Sequence, residues 1–431
     1  MKYYSLNKQS PLASFKEATI KGQAPDKGLY FPEQIPALKK EFIQDLVEME
    51  NEEIAFRVIR PYIGKEIPDE ELFRIVSEAI NFPIPLVRLN EKIYSLELFH
   101  GPTLAFKDVG ARFMSRCLGY FLKEEKNKIT VLVATSGDTG GAVANGFYDV
   151  DGVEVIILYP SDKVSPVQEK QLTTLGKNIH ALEVEGTFDD CQQMVKQAFA
   201  DPEVNKKIFL TSANSINVAR WLPQQFYYFF AYKLWPNKNN LPVISVPSGN
   251  FGNLCAGMLA KHSGLPVRHF IAACNANDVV PRFLLSGSFN PETAIATLSN
   301  AMDVGDPSNF IRILEIFQNG FDDLNKSLSS FSITDKETLD TVKEVYLKTG
   351  YLMDPHGAVG YASLNKYMDI NPGLKGIFLE TAHPVKFPDA LEKIIGKKIT
   401  VPASLHSIMN QEKKSIRMKA GYNFLKEYLM K

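Results

Sequence analysis

One lysine stands inside an otherwise largely apolar run: Leu98 to Met114 reads LFHGPTLAFKDVGARFM. Gly101 and Pro102 break the chain, after which Phe106, Val109, Gly110, Phe113 and Cys117 recur at helical spacing. The spacing predicts a helix from about Lys107, with Asp108, Arg112, Ser115, Arg116 and Gly119 on its polar stripe. Ala111, Met114 and Leu118 follow Lys107 on an apolar side. A hydrated ammonium is almost never buried without a partner, so such a lysine either snorkels out to water or is kept for its chemistry.

Two strand-like runs end in glycine-rich turns that open helices. VLVATSGDTGGAVANG passes through Ser136, Gly137, Asp138 and Thr139 into a helix expected near Gly140. Free backbone N–H groups and the positive end of a helix dipole make such a turn an anion site, and the two hydroxyls add donors. An ordinary capped turn has the same pattern. VISVPSGNFGNLCAG repeats the arrangement at Ser248, Gly249, Asn250, Phe251, Gly252 and Asn253, where glycine permits close backbone approach and a nest of N–H groups for phosphate. A third run, GIFLETAHPVKFPDAL, ends a strand at Glu380 and Thr381 and turns through His383, Pro384 and Lys386. Alone, it reads as a structural turn.

An inward lysine, a phosphate cradle, a carboxylate loop and a strand-end hydroxyl together suit one cofactor, pyridoxal phosphate. Its aldehyde needs a lysine for a Schiff base, its phosphate needs a nest, and its ring nitrogen needs a partner. A hydroxyl such as that of Thr381 leaves the ring nitrogen largely unprotonated, and an amino-acid substrate needs a carboxylate site beside it.

The elements that must position these residues follow from the alternation of patterns. Residues 1 to about 90 carry charged helical segments and no glycine-rich loop. Thereafter KITVLVAT, VEVIILYP, NIHALEVEG, PVISVPSG, VRHFIAAC and KGIFLET alternate with helical periods such as GGAVANGFYDV, TFDDCQQMVKQAFA and GNLCAGMLAKHSG. Strand followed by helix, with strands apolar on both faces, means open α/β sheets whose ligands sit beyond the carboxyl ends of strands. The 431 residues exceed one ordinary core and fit two or three domains. A net charge of −1 gives no support for a nucleic-acid or membrane partner, and no apolar run approaches the about 20 residues that cross a bilayer. A cytoplasmic protein is expected. Cys117, Cys191, Cys255 and Cys274 lie far apart and are expected to be free buried thiols. The seven histidines are scattered, so no metal site is expected, and neither a GxGxxG nor a GxxxxGK[ST] motif occurs.

ELFHGPTLAFKD, ATSGDTGGA, TSANSINVAR, VPSGNFGN, NANDVVPRF, AMDVGDPSNF and TAHPVKF, in that order, resemble the longer-chain branch of the threonine synthase family, from YYSLNKQSP near the N-terminus to about Ala390. The resemblance implies a fold-type-II, tryptophan synthase β-like architecture: two open α/β domains around pyridoxal phosphate. The boundaries expected are an N-terminal, mostly helical region at 1–90 packing on the large domain, a large cofactor-binding domain at 91–109 and 216–431, and a small closing domain at 110–215. It further implies that Lys107 forms the Schiff base and shuttles protons, that Gly249, Asn250, Phe251, Gly252 and Asn253 hold the cofactor phosphate, and that Thr381 meets the ring nitrogen. Ser136, Gly137 and Thr139 match the substrate-carboxylate loop. Asp138 stands where many relatives have an Asn facing the cofactor 3′-oxygen, and an ionised Asp cannot donate to that oxygen.

The family substrate is O-phospho-L-homoserine, and the products are L-threonine and phosphate. The dianionic leaving group needs cations, for which Arg112, Arg220, Arg282 and Lys386 are candidates; each also reads as a structural ion pair or surface charge. Asn217 either bonds substrate or caps the following helix. A phospho-lyase or dehydratase on the same fold would share Lys107 and the phosphate loop, and a silent metabolite sensor would need one of them degraded. The assembly expected is a monomer or homodimer.

Overall fold

Long apolar runs become strands sealed on both faces, and the helices that follow them supply the cover. In the computed structural model, which describes residues 1–123 and 128–431, the strands are β1 Tyr3–Ser5, β2 Tyr30–Pro32, β3 Leu86–Arg88, β4 Ile93–Glu97, β5 Ile129–Ala134, β6 Val153–Pro160, β7 Ile179–Glu185, β8 Phe209–Thr211, β9 Val243–Pro247, β10 His269–Cys274, β11 Leu328–Ser332, β12 Gly376–Glu380 and β13 Ser415–Lys419. Every residue of β5, β9, β10 and β12 is buried. The larger sheet has the order β11-β10-β9-β12-β4-β3, parallel throughout except at the β3 edge. The smaller has the order β13-β7-β6-β5-β8 and is wholly parallel.

The N-terminal segment adds the antiparallel β1–β2 ribbon to helices Phe15–Lys21, Lys40–Asp45, Asn51–Ile63 and Asp69–Ala79. Ile54, Val58, Ile59 and Tyr62 lie on one face of Asn51–Ile63 and join the apolar cluster that also takes Phe113, Leu118 and Phe226. Each such side chain contributes about 1.5–3 kcal/mol by leaving water, so the segment is fastened to the main body rather than tethered to it.

The sequence reading gave all of 216–431 to the large unit. Ser415–Lys419 instead becomes β13, the outer strand of the smaller sheet, with Ser415 opposite Ala181. Helix Tyr422–Met430 then sets Leu425 and Leu429 against Leu182, Val184 and Met194. The physical reason is the exposed β7 edge, whose N–H and C=O groups need partners. SIRMK is too short and polar to announce itself.

The topology brings four loops to strand ends. The segment carrying Lys107 follows β4, the Ser136 loop follows β5, the Ser248 loop follows β9, and Thr381 follows β12. Because β4 and β12 are adjacent, parallel and paired Glu97 with Glu380, the first and last of these leave the sheet side by side. No helix is long and apolar enough to cross a membrane among the described residues.

Candidate active site

Backbone pairing beyond the strands delivers Lys107. Phe106 N–H donates to Thr381 O at 2.9 Å, His383 N–H to Leu104 O at 3.1 Å, and Ala105 bridges Ala382. The helix Lys107–Leu122 starts at once, as its spacing predicts. Asp108, read as part of a polar stripe, is 1% exposed and turns back to accept the Thr103 N–H at 2.9 Å and the Thr103 hydroxyl. Ser115 is buried too, so the stripe is narrower than the pattern suggested.

Lys107 is half-buried as a residue, and its ammonium lies where the loops of the two sheets meet. Its Nζ donates to Thr139 Oγ1 at 3.0 Å, a contact that crosses from one sheet's loop to the other's. No acidic side chain pairs with it directly among the described residues. The protein around the cleft disfavours charge and lowers Lys107 to about 8; Asp138 opposes this, while Arg220 and Lys386 reinforce it.

Asp138 is spoken for by another group. Its Oδ1 accepts Lys386 Nζ at 2.7 Å and Gln168 Nε2 at 3.0 Å, all three side chains being buried. Burial alone would raise its carboxyl, but Lys386 and then Lys107 hold it well below the usual range. Asp138 is therefore an ionised acceptor whose near partner is Lys386. The helix it opens, Asp138–Phe147, begins two residues before the expected start because Thr135 Oγ1 accepts the N–H groups of Gly137 at 3.0 Å and Gly140 at 2.9 Å. The N–H groups of Ser136, Asp138 and Thr139 find no acceptor among the described residues, leaving donors for a carboxylate. Gly137 is required here: its φ is +142°, and a Cβ would meet Gln168 Cδ at 2.5 Å. Gln168 escaped the sequence reading, and VSPVQEK offers only a helix-capping signal for it.

The Ser248–Asn253 loop has the form of a cradle. Phe251 adopts a left-handed φ of +61° at the start of helix Gly252–His262. Asn250 Oδ1 accepts Ser308 N–H at 3.3 Å, and a Cβ on Gly249 would fall 2.6 Å from Met302 Cα. The N–H groups of Gly249, Asn250 and Phe251 make no hydrogen bond among the described residues. Asn253 Oδ1 accepts the Tyr228 hydroxyl at 2.9 Å, while its buried Nδ2 has no partner among the described residues. Unspent donors at a helix N-terminus fit a phosphate.

Of the remaining candidates, three are engaged elsewhere. The Arg112 guanidinium bonds Glu78 O at 2.6 Å through Nη2 and Asn81 Oδ1 at 2.9 Å, fastening its helix to Asp69–Ala79 and not reaching the cleft. Asn217 caps helix Val218–Trp221 by accepting Ala219 N–H at 3.0 Å, and its Nδ2 donates to Thr19 O at 2.8 Å. Asn217→Ala is accordingly expected to cost about 2–3 kcal/mol in thermal or denaturant unfolding, with KM unchanged. Arg282, half-buried on its own helix, is satisfied by Asp278 at 2.8 Å and Glu292 at 2.7 Å. Arg220 is the opposite case: it is 4% exposed, and its Nε and Nη1 have no partner among the described residues. Gly110 lets the two helices touch, since a Cβ there would lie 2.6 Å from Arg220 O.

Family models match along the whole length: "Threonine synthase N terminus" over residues 2–80, "Pyridoxal-phosphate dependent enzyme" over 78–374 and "Threonine synthase, C-terminal" over 357–429. A threonine synthase of Haemophilus influenzae is 45% identical over 432 aligned residues, covering 100% of each chain. The chain belongs to the threonine synthase family. Its fold matches the solved Escherichia coli threonine synthase with a TM-score of 0.92 at 43% identity, covering 100% of this chain and 99% of that one. A pyridoxal-phosphate-bound threonine synthase of Brucella melitensis matches with a TM-score of 0.93 at 36% identity, covering 100% and 98%. The architecture is that of the fold-type-II enzymes, and the cofactor is pyridoxal phosphate. The chain's own residues fit that group: an amine near neutrality, a loop with unspent N–H donors and an orphaned Asn253 amide. All four cysteines are free and buried. Among the described residues, no group of three or more His, Cys, Asp or Glu is arranged to hold a metal ion.

Proposed function

We propose that this enzyme converts O-phospho-L-homoserine and water into L-threonine and phosphate, with Lys107 as the group that moves protons. The observation that carries the residue assignment is the Lys107 amine, held by Thr139 and lowered to about 8 beside a buried, unpaired Arg220. When bound, pyridoxal phosphate supplies the electron sink that stabilises negative charge on the substrate carbons. The Gly249–Asn253 loop takes the cofactor phosphate, with Asn253 Nδ2 as a further donor, and the Thr381 hydroxyl meets the ring nitrogen. The Ser136–Thr139 turn holds the substrate carboxylate through its free N–H groups, which fixes Cα and Cβ relative to Lys107.

Lys107 Nζ takes a proton from Cα and then one from Cβ, and returns one to Cγ after phosphate leaves; the OH of water then adds at Cβ, its other proton goes to the released phosphate, and the second proton returns to Cα. A base with a pKa near 8 is suited to both directions at neutral pH. Thr139 holds Nζ on the side of the cleft where the carboxylate turn lies. Arg220 faces the departing phosphate, whose charge satisfies the guanidinium atoms left bare in the protein.

Lys386 balances this arrangement by neutralising Asp138 and by adding positive charge near Lys107. Lys386→Met leaves Asp138 ionised and unpaired beside Lys107, so the lysine pKa rises. The pH midpoint for uptake of pyridoxal phosphate by apoprotein is expected to move upward, with about 3–5 kcal/mol lost from stability by breaking a buried pair.

The enzyme is read as a cytoplasmic monomer or homodimer acting on a small molecule without nucleic acid. The test is phosphate release and amino-acid product from purified holoenzyme and O-phospho-L-homoserine. Threonine equal to phosphate supports the reading. Phosphate with 2-oxobutyrate assigns the chain to the lyases, and a yellow protein without turnover assigns it to the silent relatives.

A further inference from the structure

Behind Thr381 lies a buried relay of side chains that the proton transfers above do not use. Glu380, the last residue of β12, is 0% exposed; its Oε1 accepts the Asp354 N–H at 2.6 Å, and its Oε2 is buried without a partner among the described residues. A Cβ on Gly357 would fall 1.5 Å from that Oε2, so the start of helix Pro355–Ile370 is pressed onto the carboxyl. The groups acting on Glu380 are Asp354, Glu97 and Tyr351, none of them a cation. Glu97 is itself held by the Tyr351 hydroxyl at 2.8 Å and by His100 Nε2 at 2.6 Å.

Asp354 caps the helix: its Oδ1 accepts the His356 N–H at 2.8 Å and contacts His356 Nδ1 at 2.5 Å. The far ring nitrogen, Nε2, accepts the Ala301 N–H at 3.2 Å. A backbone N–H can only donate, so Nε2 is unprotonated and Nδ1 carries the hydrogen that Asp354 accepts. Ala301 leads directly to the phosphate loop, because a Cβ on Gly249 would lie 2.9 Å from Ala301 O and 2.6 Å from Met302 Cα. Two adjacent carboxyls with no cation cannot both ionise cheaply. Asp354 already serves as acceptor to two N–H groups and the imidazole, which leaves the proton for Glu380. Burial first, and then Asp354, push the Glu380 acid well above its ordinary range.

We infer that Glu380, kept as a neutral carboxylic acid, forms with Asp354 and His356 one positioning unit that ties the Thr381 end of β12 to the Gly249 loop. The inference rests on the assignment of those two segments to the ring nitrogen and phosphate of pyridoxal phosphate. The unit sets the distance between them before the cofactor arrives, so its loss weakens cofactor binding more than it weakens the fold.

The experiment titrates apoprotein variants with pyridoxal phosphate by absorbance and follows their thermal unfolding. Glu380→Gln preserves both shape and a donor, so its Kd is expected to stay within about twofold of the parent, whereas Glu380→Ala raises Kd roughly tenfold or more, the effect of unsatisfied buried groups. His356→Asn keeps a donor for Asp354 but abandons the Ala301 N–H, and its Kd is expected to rise by a similar roughly tenfold factor. Infrared difference spectra should show a protonated-carboxyl stretch in the parent that Glu380→Gln removes. A Glu380→Gln Kd as poor as that of Glu380→Ala, or the absence of that band, overturns the neutral acid. Lowered unfolding temperatures with unchanged Kd reduce the trio to core packing. Gly249→Ala separates the premises: if it leaves Kd unchanged, the loop assignment itself fails, and the unit has nothing to position.

Discussion

Lys107→Ala is expected to lower kcat by about 10⁴-fold or more, because one side chain serves as covalent partner to the cofactor and as proton carrier at several substrate atoms. The variant should still fold. Lys107 belongs to no apolar cluster and makes one side-chain hydrogen bond, to Thr139, so its removal leaves the core packing in place. Apoprotein with this substitution should also bind pyridoxal phosphate without the shift in absorption that follows its capture by an amine. The same residue sets a pH dependence. Capture requires the neutral amine, and Lys107 is lowered to about 8 chiefly by burial. Below that value the neutral fraction falls about tenfold per pH unit, so the rate of cofactor uptake should rise with pH up to about 8 and level off above it. A rate that is flat from pH 6 to 9 would mean that the amine is already neutral throughout, and the balance struck by Asp138, Arg220 and Lys386 would need another account.

The strands, the helix that opens at Lys107 and the place of the glycine-rich turns were legible because each rests on local chemistry. KITVLVAT, PVISVPSG and KGIFLET contain β5, β9 and β12, and the helix beginning at Lys107 follows from GP and the apolar period after it. What the sequence concealed depends on contacts between distant segments. Nothing local says that Asp138 meets Lys386, 248 residues away, or that Gln168 is the third member of that group. Arg112 and Asn217 carried the right chemistry in the right neighbourhood, yet the backbone uses both: one secures a helix end and the other caps a helix. A donor that saturates itself locally is not free to bind ligand, and only coordinates reveal the saturation. Ser415–Lys419 illustrates the same limit at the level of the fold, since an edge strand borrows its register from a partner rather than from its own pattern.

Arg220→Leu carries the second large expected effect, a fall in kcat/KM for O-phospho-L-homoserine of about 10²–10³-fold, the range seen when one preorganised donor is taken from a developing charge. What the side chain lacks sets the size of the effect. Arg220 is buried among Lys107, Asp108 and Tyr227, desolvation lowers it to about 10, and its Nε and Nη1 meet no acceptor among the described residues. A buried guanidinium with unspent donors destabilises the ligand-free protein, so an apolar replacement of similar length should leave apoprotein unfolding unchanged or slightly stabilised. The two measurements therefore move apart: turnover falls while stability holds. A structural arginine would show the reverse, with lowered unfolding temperature and intact kcat/KM. Binding of inorganic phosphate to the holoenzyme sharpens the distinction, since the parent should be inhibited competitively and Arg220→Leu should lose that inhibition. Lys at this position restores charge but not the planar pair of N–H donors, so Arg220→Lys is expected to recover only part of the lost kcat/KM.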